Sequence, residues 1–201
     1  MHKVLSRHLA PYLFCVSALC LLSACANAAQ STEPAASSER PSVRVQTNLG
    51  SFDMELQPKQ APVTVANFLA RVDEGFYDGL IFHRVIPNFM IQAGGYSADL
   101  TYREPPATVV NESHNGLRNR KATVAMARLN DPDSASTQFF INVKDNRHLD
   151  AQRGQPGYTV FGQVVDGWET VVQIELVDTG RRAGMAGVPE KPVIIESIRR
   201  R

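Results

Sequence analysis

Beyond position 25 this chain has no cysteine: Cys15, Cys20 and Cys25 are its only three. No disulfide can staple the remainder, and no thiol can serve there as nucleophile or metal ligand. A charge excess is missing as well. Lys3 and Arg7 are the only formally charged residues among the first 25, which leaves 19 of the 21 basic residues against all 20 acidic ones. That balance gives no electrostatic reason to expect nucleic acid as a partner. His83, His114 and His148 are irregularly spaced and lack an accompanying carboxylate or cysteine motif. Neither a metal site nor a cofactor is therefore expected. Ser134 and Ser136 have no G-x-S-x-G setting, which weighs against a hydrolase. Gly94-Gly95 introduces no phosphate-binding loop and is read as turn or bulge backbone.

The N-terminus has the layout of an export signal. Lys3 and Arg7 form a basic start, and Leu9 to Ala24 is mostly apolar but too short for a permanent membrane span. Two exits compete. Ala26-Asn27-Ala28 fits a small-residue cleavage site, whereas Leu22-Ser23-Ala24-Cys25 resembles a bacterial lipoprotein box that would lipidate Cys25. Residues 26–41, rich in Ala, Ser, Glu and Pro and without period, are expected to be a flexible linker. The expected organisation is a signal peptide over 1–25, that linker, and one domain over 42–201. Periplasm or cell envelope follows as the location, with the membrane reached only through the signal or a lipid anchor. The Arg199-Arg200-Arg201 end is expected to be a solvated tail.

From Val43 onward the pattern is mostly β. Val43 to Thr47 alternates, Asn48-Leu49-Gly50 turns, and Phe52, Met54 and Leu56 alternate with Asp53 and Glu55, which predicts a hairpin. Pro62 suits the first position of a helix carrying Val65, Phe68, Leu69 and Val72, with Gly75 at its end. Further strands are expected at Leu80–Val85, Phe89–Gln92, Thr123–Ala127, Gln138–Val143, Val160–Val165 and Val193–Ile198. A second helix is expected from Trp168 to Leu176. About eight strands and two helices without βαβ alternation predict a mainly β fold, a closed eight-stranded antiparallel β-barrel capped by two α-helices.

The densest stretch is Phe-His-Arg-Val-Ile-Pro-Asn-Phe-Met-Ile-Gln over 82–92. With Ala125-Met126-Ala127, Ser136–Asn142, His148-Leu149-Asp150 and Tyr158–Gly162, in that order and spacing, it resembles the cyclophilin family of peptidyl-prolyl cis-trans isomerases. The resemblance covers Val43 to Ile198, and its short loops look like the bacterial exported branch. It implies a peptide groove on the outside of the barrel. By position, Arg84 matches the catalytic arginine and Gln92 the glutamine that orients it. Phe89, Met90, Phe140 and Leu149 match the walls of the proline pocket, and Ala127 and Gln138 match groove residues beside the substrate backbone. His148 stands where many eukaryotic members have tryptophan, Tyr158 where they have a histidine at the pocket rim, and Arg128 where an asparagine is common; by position His148 and Tyr158 are still expected to bind substrate. These departures weigh against tight cyclosporin binding more than against catalysis. The implied partners are proline-containing unfolded or folding polypeptides, met by a monomer. A module that only holds such segments is the alternative, although holding needs the pocket and not Arg84.

Alternation tests part of this scheme. Gln138 and Phe140 share one face of a strand and Phe139 and Ile141 the other, so the first pair can face the groove while the second fills the barrel. Met90 and Gln92 likewise share a face. In a regular strand His83 and Arg84 point oppositely, with His83 hydrogen-bonded and structural.

Overall fold

The computed structural model describes residues 40–201. The signal, the linker up to residue 39, and Cys25 with its lipoprotein box lie outside them. Among the described residues ten strands occur, in the order β1 (Ser42–Thr47), β2 (Gly50–Leu56), β3 (Leu80–Ile86), β4 (Met90–Ser97), β5 (Thr123–Met126), β6 (Phe139–Asn142), β7 (Val160–Asp166), β8 (Thr179–Arg182), β9 (Met185–Pro189) and β10 (Ile195–Arg200). Helix α1 spans Pro62–Asp73 and α2 spans Trp168–Glu175. Eight strands form one antiparallel sheet in the order β10-β1-β2-β7-β5-β6-β4-β3. Its edges meet: the Gly79 and Phe82 N–H groups donate to the Ile195 and Val193 carbonyls, both at 2.9 Å. The expected barrel with two helices is therefore the observed fold.

Alternating apolar residues make the barrel interior. Val43 and Val45 of β1, Phe52, Met54 and Leu56 of β2, and Phe139 and Ile141 of β6 are almost wholly buried in one core. Helix α1 contributes Val65, Phe68, Leu69 and Val72 to it, and α2 contributes Val171 and Ile174. Phe68 meets Tyr77, Phe139 and Phe161 at ring-centroid distances of 5.2 to 5.7 Å. Pro62 starts α1, and the residue before it, Ala61, offers no capping side chain. Glu112 supplies the cap from across the chain, accepting from the Val63 N–H at 3.1 Å and the Thr64 N–H at 2.8 Å. A carboxylate there also suits the positive end of the helix dipole.

Three features differ from expectation. The hairpin β8–β9 lies outside the main sheet and was not foreseen. Strand β4 runs on to Ser97, past its expected end at Gln92, and the pairing against β3 shifts at Gly94-Gly95, which is the bulge of the two alternatives expected there. The C-terminal arginines are no solvated tail. Arg199 pairs with Asp78 at 2.5 Å, Arg200 with Asp73 at 2.6 Å, and Arg201 with Asp53. Strand β10 continues to Arg200 through its backbone pairing with β1, where Arg199 faces Arg44 and Arg200 faces Val43.

Candidate active site

A second apolar cluster sits on the outer face of the sheet. Met90, Ala125, Phe140 and Val160 form its buried base, with Ile86, Phe89, Leu117, Ala127, Leu149 and Tyr158 packed around them. The strand period explains the split. Along β6, Phe139 and Ile141 point into the barrel core and Phe140 into the outer cluster. Along β4, Ile91 and Ala93 go inward, while Met90 joins the outer cluster and Gln92 borders the opening above it.

That opening is a cleft of about 130 Å³ lined by Arg84, Phe89, Met90, Gln92, Ala127, Arg128, Phe140, Leu149 and Tyr158. Gln138 borders an adjoining hollow that shares Gln92, Ala127 and Arg128 with the cleft. His148 does not line the cleft. It stacks on Phe89, with ring centroids 5.6 Å apart and planes 23° from parallel. The phenol ring of Tyr158 meets Phe140 edge-on at 5.6 Å.

Arg84 reaches the cleft because β3 is irregular. Arg84 pairs with Gln92 and Phe82 pairs with Ala93, so His83 is an extra residue with no partner on β4. The inward residues are therefore Phe82 and Val85, three apart instead of two. Opposite orientations of His83 and Arg84 were expected only for a regular strand; the bulge removes that condition, and His83 meets Gln138 while Arg84 meets Gln92. Arg84 Nη1 donates to Gln92 Oε1 at 3.4 Å and lies 3.9 Å from Met90 Sδ. Gln92 Nε2 donates in turn to Gln138 Oε1 at 2.9 Å. A side chain at Gly95 would bring its Cβ within 2.6 Å of Gln138 Cδ, so this glycine makes room for that last contact. Among the described residues Arg84 has no carboxylate partner.

His83 is buried, and burial pushes its pKa down to about 4, with the nearby Arg84 charge adding to the effect. The Ile81 backbone and the Gln138 side chain act the other way but are outweighed. At neutral pH it is an uncharged ring against Tyr96, with centroids 4.7 Å apart.

Arg128, which the sequence marked only as a departure, is part of the wall. Its guanidinium lies 4.8 Å from the Tyr158 ring centroid and donates to the carbonyls of Gly157, Pro156 and Leu129 at 3.2, 3.0 and 2.9 Å. It thereby holds Tyr158 in place. A group of asparagines, undetected in the sequence, fixes the other side. Asn146 Nδ2 donates to the Phe89 carbonyl at 2.8 Å and to Asn142 Oδ1 at 2.7 Å. Asp150 Oδ1 accepts the Asn119 N–H at 2.6 Å, and the Tyr158 N–H donates to the Leu149 carbonyl at 2.9 Å. Asparagine recurring at 119, 142 and 146 was the available signal.

Comparison with known proteins agrees with this geometry. Residues 42–200 match the family described as cyclophilin type peptidyl-prolyl cis-trans isomerase. The chain is 51% identical over 160 residues to a peptidyl-prolyl cis-trans isomerase of Streptomyces antibioticus, covering 78% of this chain and 96% of that one. It is 45% identical over 160 residues to peptidyl-prolyl cis-trans isomerase B of Escherichia coli, covering 78% and 97%. A crystal structure of a Cryptosporidium parvum cyclophilin type isomerase, solved in the presence of the dipeptide Ala-Pro, superposes with a TM-score of 0.67 at 29% identity, covering 80% of this chain and 98% of that one. With its barrel, its outer cleft and these relatives, the chain belongs to the cyclophilin type peptidyl-prolyl cis-trans isomerase family.

Proposed function

We propose that this protein is a cofactor-independent prolyl isomerase of the bacterial cell envelope that accelerates rotation about X–Pro bonds in exported polypeptides as they fold. The observation that carries the proposal is Arg84, a cation with no carboxylate partner among the described residues, standing at the edge of an apolar cleft. An X–Pro bond has cis and trans forms of similar energy but interconverts slowly. The barrier for a peptide bond is about 18–20 kcal/mol. At its top the C–N bond is twisted, amide resonance is lost, and the prolyl nitrogen gains a lone pair. A donor aimed at that nitrogen finds an acceptor only in the transition state, so it raises the rate and not merely the affinity.

Arginine suits this task because it stays protonated and offers donors in a rigid fork. Gln92 steadies it: the amide oxygen faces Arg84 while the amide nitrogen is held by Gln138. Phe89, Met90, Phe140 and Leu149 hold the pyrrolidine ring and exclude water. Drying helps, because the twisted amide is less dipolar than the planar one. A module that only holds proline segments would need these walls but not a free guanidinium beside them.

Two measurements test the proposal. In a protease-coupled assay, the mature protein accelerates cis-to-trans conversion of an Ala-Pro tetrapeptide; a rate no faster than the uncatalysed one refutes the isomerase assignment. The envelope assignment rests on the leader. The intact mass of the exported protein shows an N-terminus at acylated Cys25 or at Ala29; an unprocessed Met1 start contradicts export.

A further inference from the structure

One charged feature outside the cleft has no part in this reaction. Arg118, Arg120 and Arg147 together line an open hollow of about 310 Å³. All three are exposed. Among the described residues Arg120 and Arg147 form no ion pair, and Arg118 reaches only Asp150, at 3.4 Å. That carboxylate is already engaged by the Asn119 N–H at 2.6 Å and by Asn119 Nδ2 at 3.2 Å. Asp145, the other acid beside Arg147 in the chain, accepts the Lys121 N–H at 3.0 Å. Three cations facing one space repel one another unless an anion enters. Each presents the planar fork that grips a carboxylate at two points.

The hollow adjoins the proline cleft through two short links. Arg147 opens the one-turn 3₁₀ helix Arg147–Leu149, whose last residue lines the cleft. Arg118 follows Leu117, which packs against the outer apolar cluster. An extended peptide advances about 3.3 Å per residue, and Arg147 stands two residues before the cleft-lining Leu149, so a client chain that leaves the cleft on that side comes within reach of the arginines after a few residues.

We propose that Arg118, Arg120 and Arg147 form an anion-recognition subsite for the client chain, favouring X–Pro segments that carry Asp or Glu a few residues from the proline. The proposal rests on the isomerase assignment and adds a substrate class to it. A membrane surface fits less well. A lipid-binding face combines its cations with apolar residues that enter the bilayer, and this hollow is lined by arginine alone.

The test compares three tetrapeptide-based substrates: one with glutamates after the proline, one with glutamates before it, and one with glutamine at all those positions. Wild type is set against the double variant Arg120→Gln/Arg147→Gln, which removes no hydrogen bond that the fold uses. The expected result is a lower KM for one of the acidic peptides, with kcat unchanged. Exposed ion pairs of this kind change affinity by roughly two- to fivefold each, so losing two raises that KM roughly four- to 25-fold. It leaves the glutamine peptide untouched, and the preference of the wild type fades at high salt. Equal KM values for all three peptides overturn the proposal. So does an equal loss on all three in the variant, which marks a structural role. Binding of wild type, but not variant, to phosphatidylglycerol vesicles without any peptide preference also overturns it, in favour of a membrane surface. Fluorescence anisotropy of the labelled peptides reads the same preference without turnover. A protein that binds the acidic peptide selectively yet isomerises none of them fails the isomerase assignment and keeps this one.

Discussion

Arg84 owes its position to an irregularity one residue away. His83 is inserted into β3 without a partner, and the inward pattern moves from Phe82 to Val85. No periodicity in the sequence announces such a bulge, which is why simple alternation sends His83 and Arg84 to opposite sides. The same rule works for Gln138 to Ile141, where the strand is regular and Phe139 and Phe140 part company as expected. Burial of the extra residue has a thermodynamic consequence. His83 titrates at about 4 in the folded protein and near its ordinary value of 6.5 when unfolded. Between those values the unfolded chain binds the extra proton, so the stability contributed by neutral His83 is complete above pH 6.5 and declines as pH falls toward 4. Denaturant titrations over that window should show wild type losing more stability than His83→Gln, by on the order of 2–3 kcal/mol. Parallel curves contradict the burial argument.

Elements are held in register by charge as well as by the core. Asp53 on β2 is almost fully buried and receives Arg44 of β1 at 2.8 and 3.0 Å and also Arg201 beyond β10. One carboxylate thus ties β1 and the C-terminus to the second strand. The hydrogen bonds from Arg44 hold it below the usual carboxylate range, with Arg201 adding to the effect. Its contribution to stability is present above the ordinary aspartate pKa and is lost as pH falls through the lowered one. Replacing Asp53 by Asn removes charge-assisted bonds worth about 2–3 kcal/mol at pH 7. The gap between variant and wild type should close in strong acid; a gap independent of pH assigns the loss to packing instead. None of this was visible in Arg199-Arg200-Arg201, because the acids that receive them lie at Asp78, Asp73 and Asp53, more than a hundred residues earlier. Hairpin β8–β9 escaped for a different reason. Its sequence, Thr179 to Pro189, is glycine-rich and largely unburied, and it contributes little to a β pattern apart from Val188.

The described residues form two apolar clusters separated by one sheet, and they do different work. The larger fills the barrel and makes the fold; the smaller lies outside and walls the cleft. Adjacent residues on β6 separate the two. Phe139→Ala should cost about 3–5 kcal/mol of stability, since it empties the barrel core. Phe140→Ala should cost less stability but lower kcat/KM for a proline peptide by about tenfold or more, because the cleft loses a wall. Equal destabilisation with unchanged turnover in Phe140→Ala argues against the cleft as the binding site. This division was legible in the sequence wherever strands are regular. The supports behind it, Arg128 on Tyr158 and the asparagines around Asn146, depend on loops brought together only by folding. The most direct measurement is the turnover of an Ala-Pro tetrapeptide by Arg84→Ala, with circular dichroism and thermal stability recorded on the same sample. Loss of a preorganised donor predicts a fall in kcat/KM of roughly 10²- to 10³-fold in a protein that stays folded. A folded variant with wild-type turnover removes Arg84 from the chemistry.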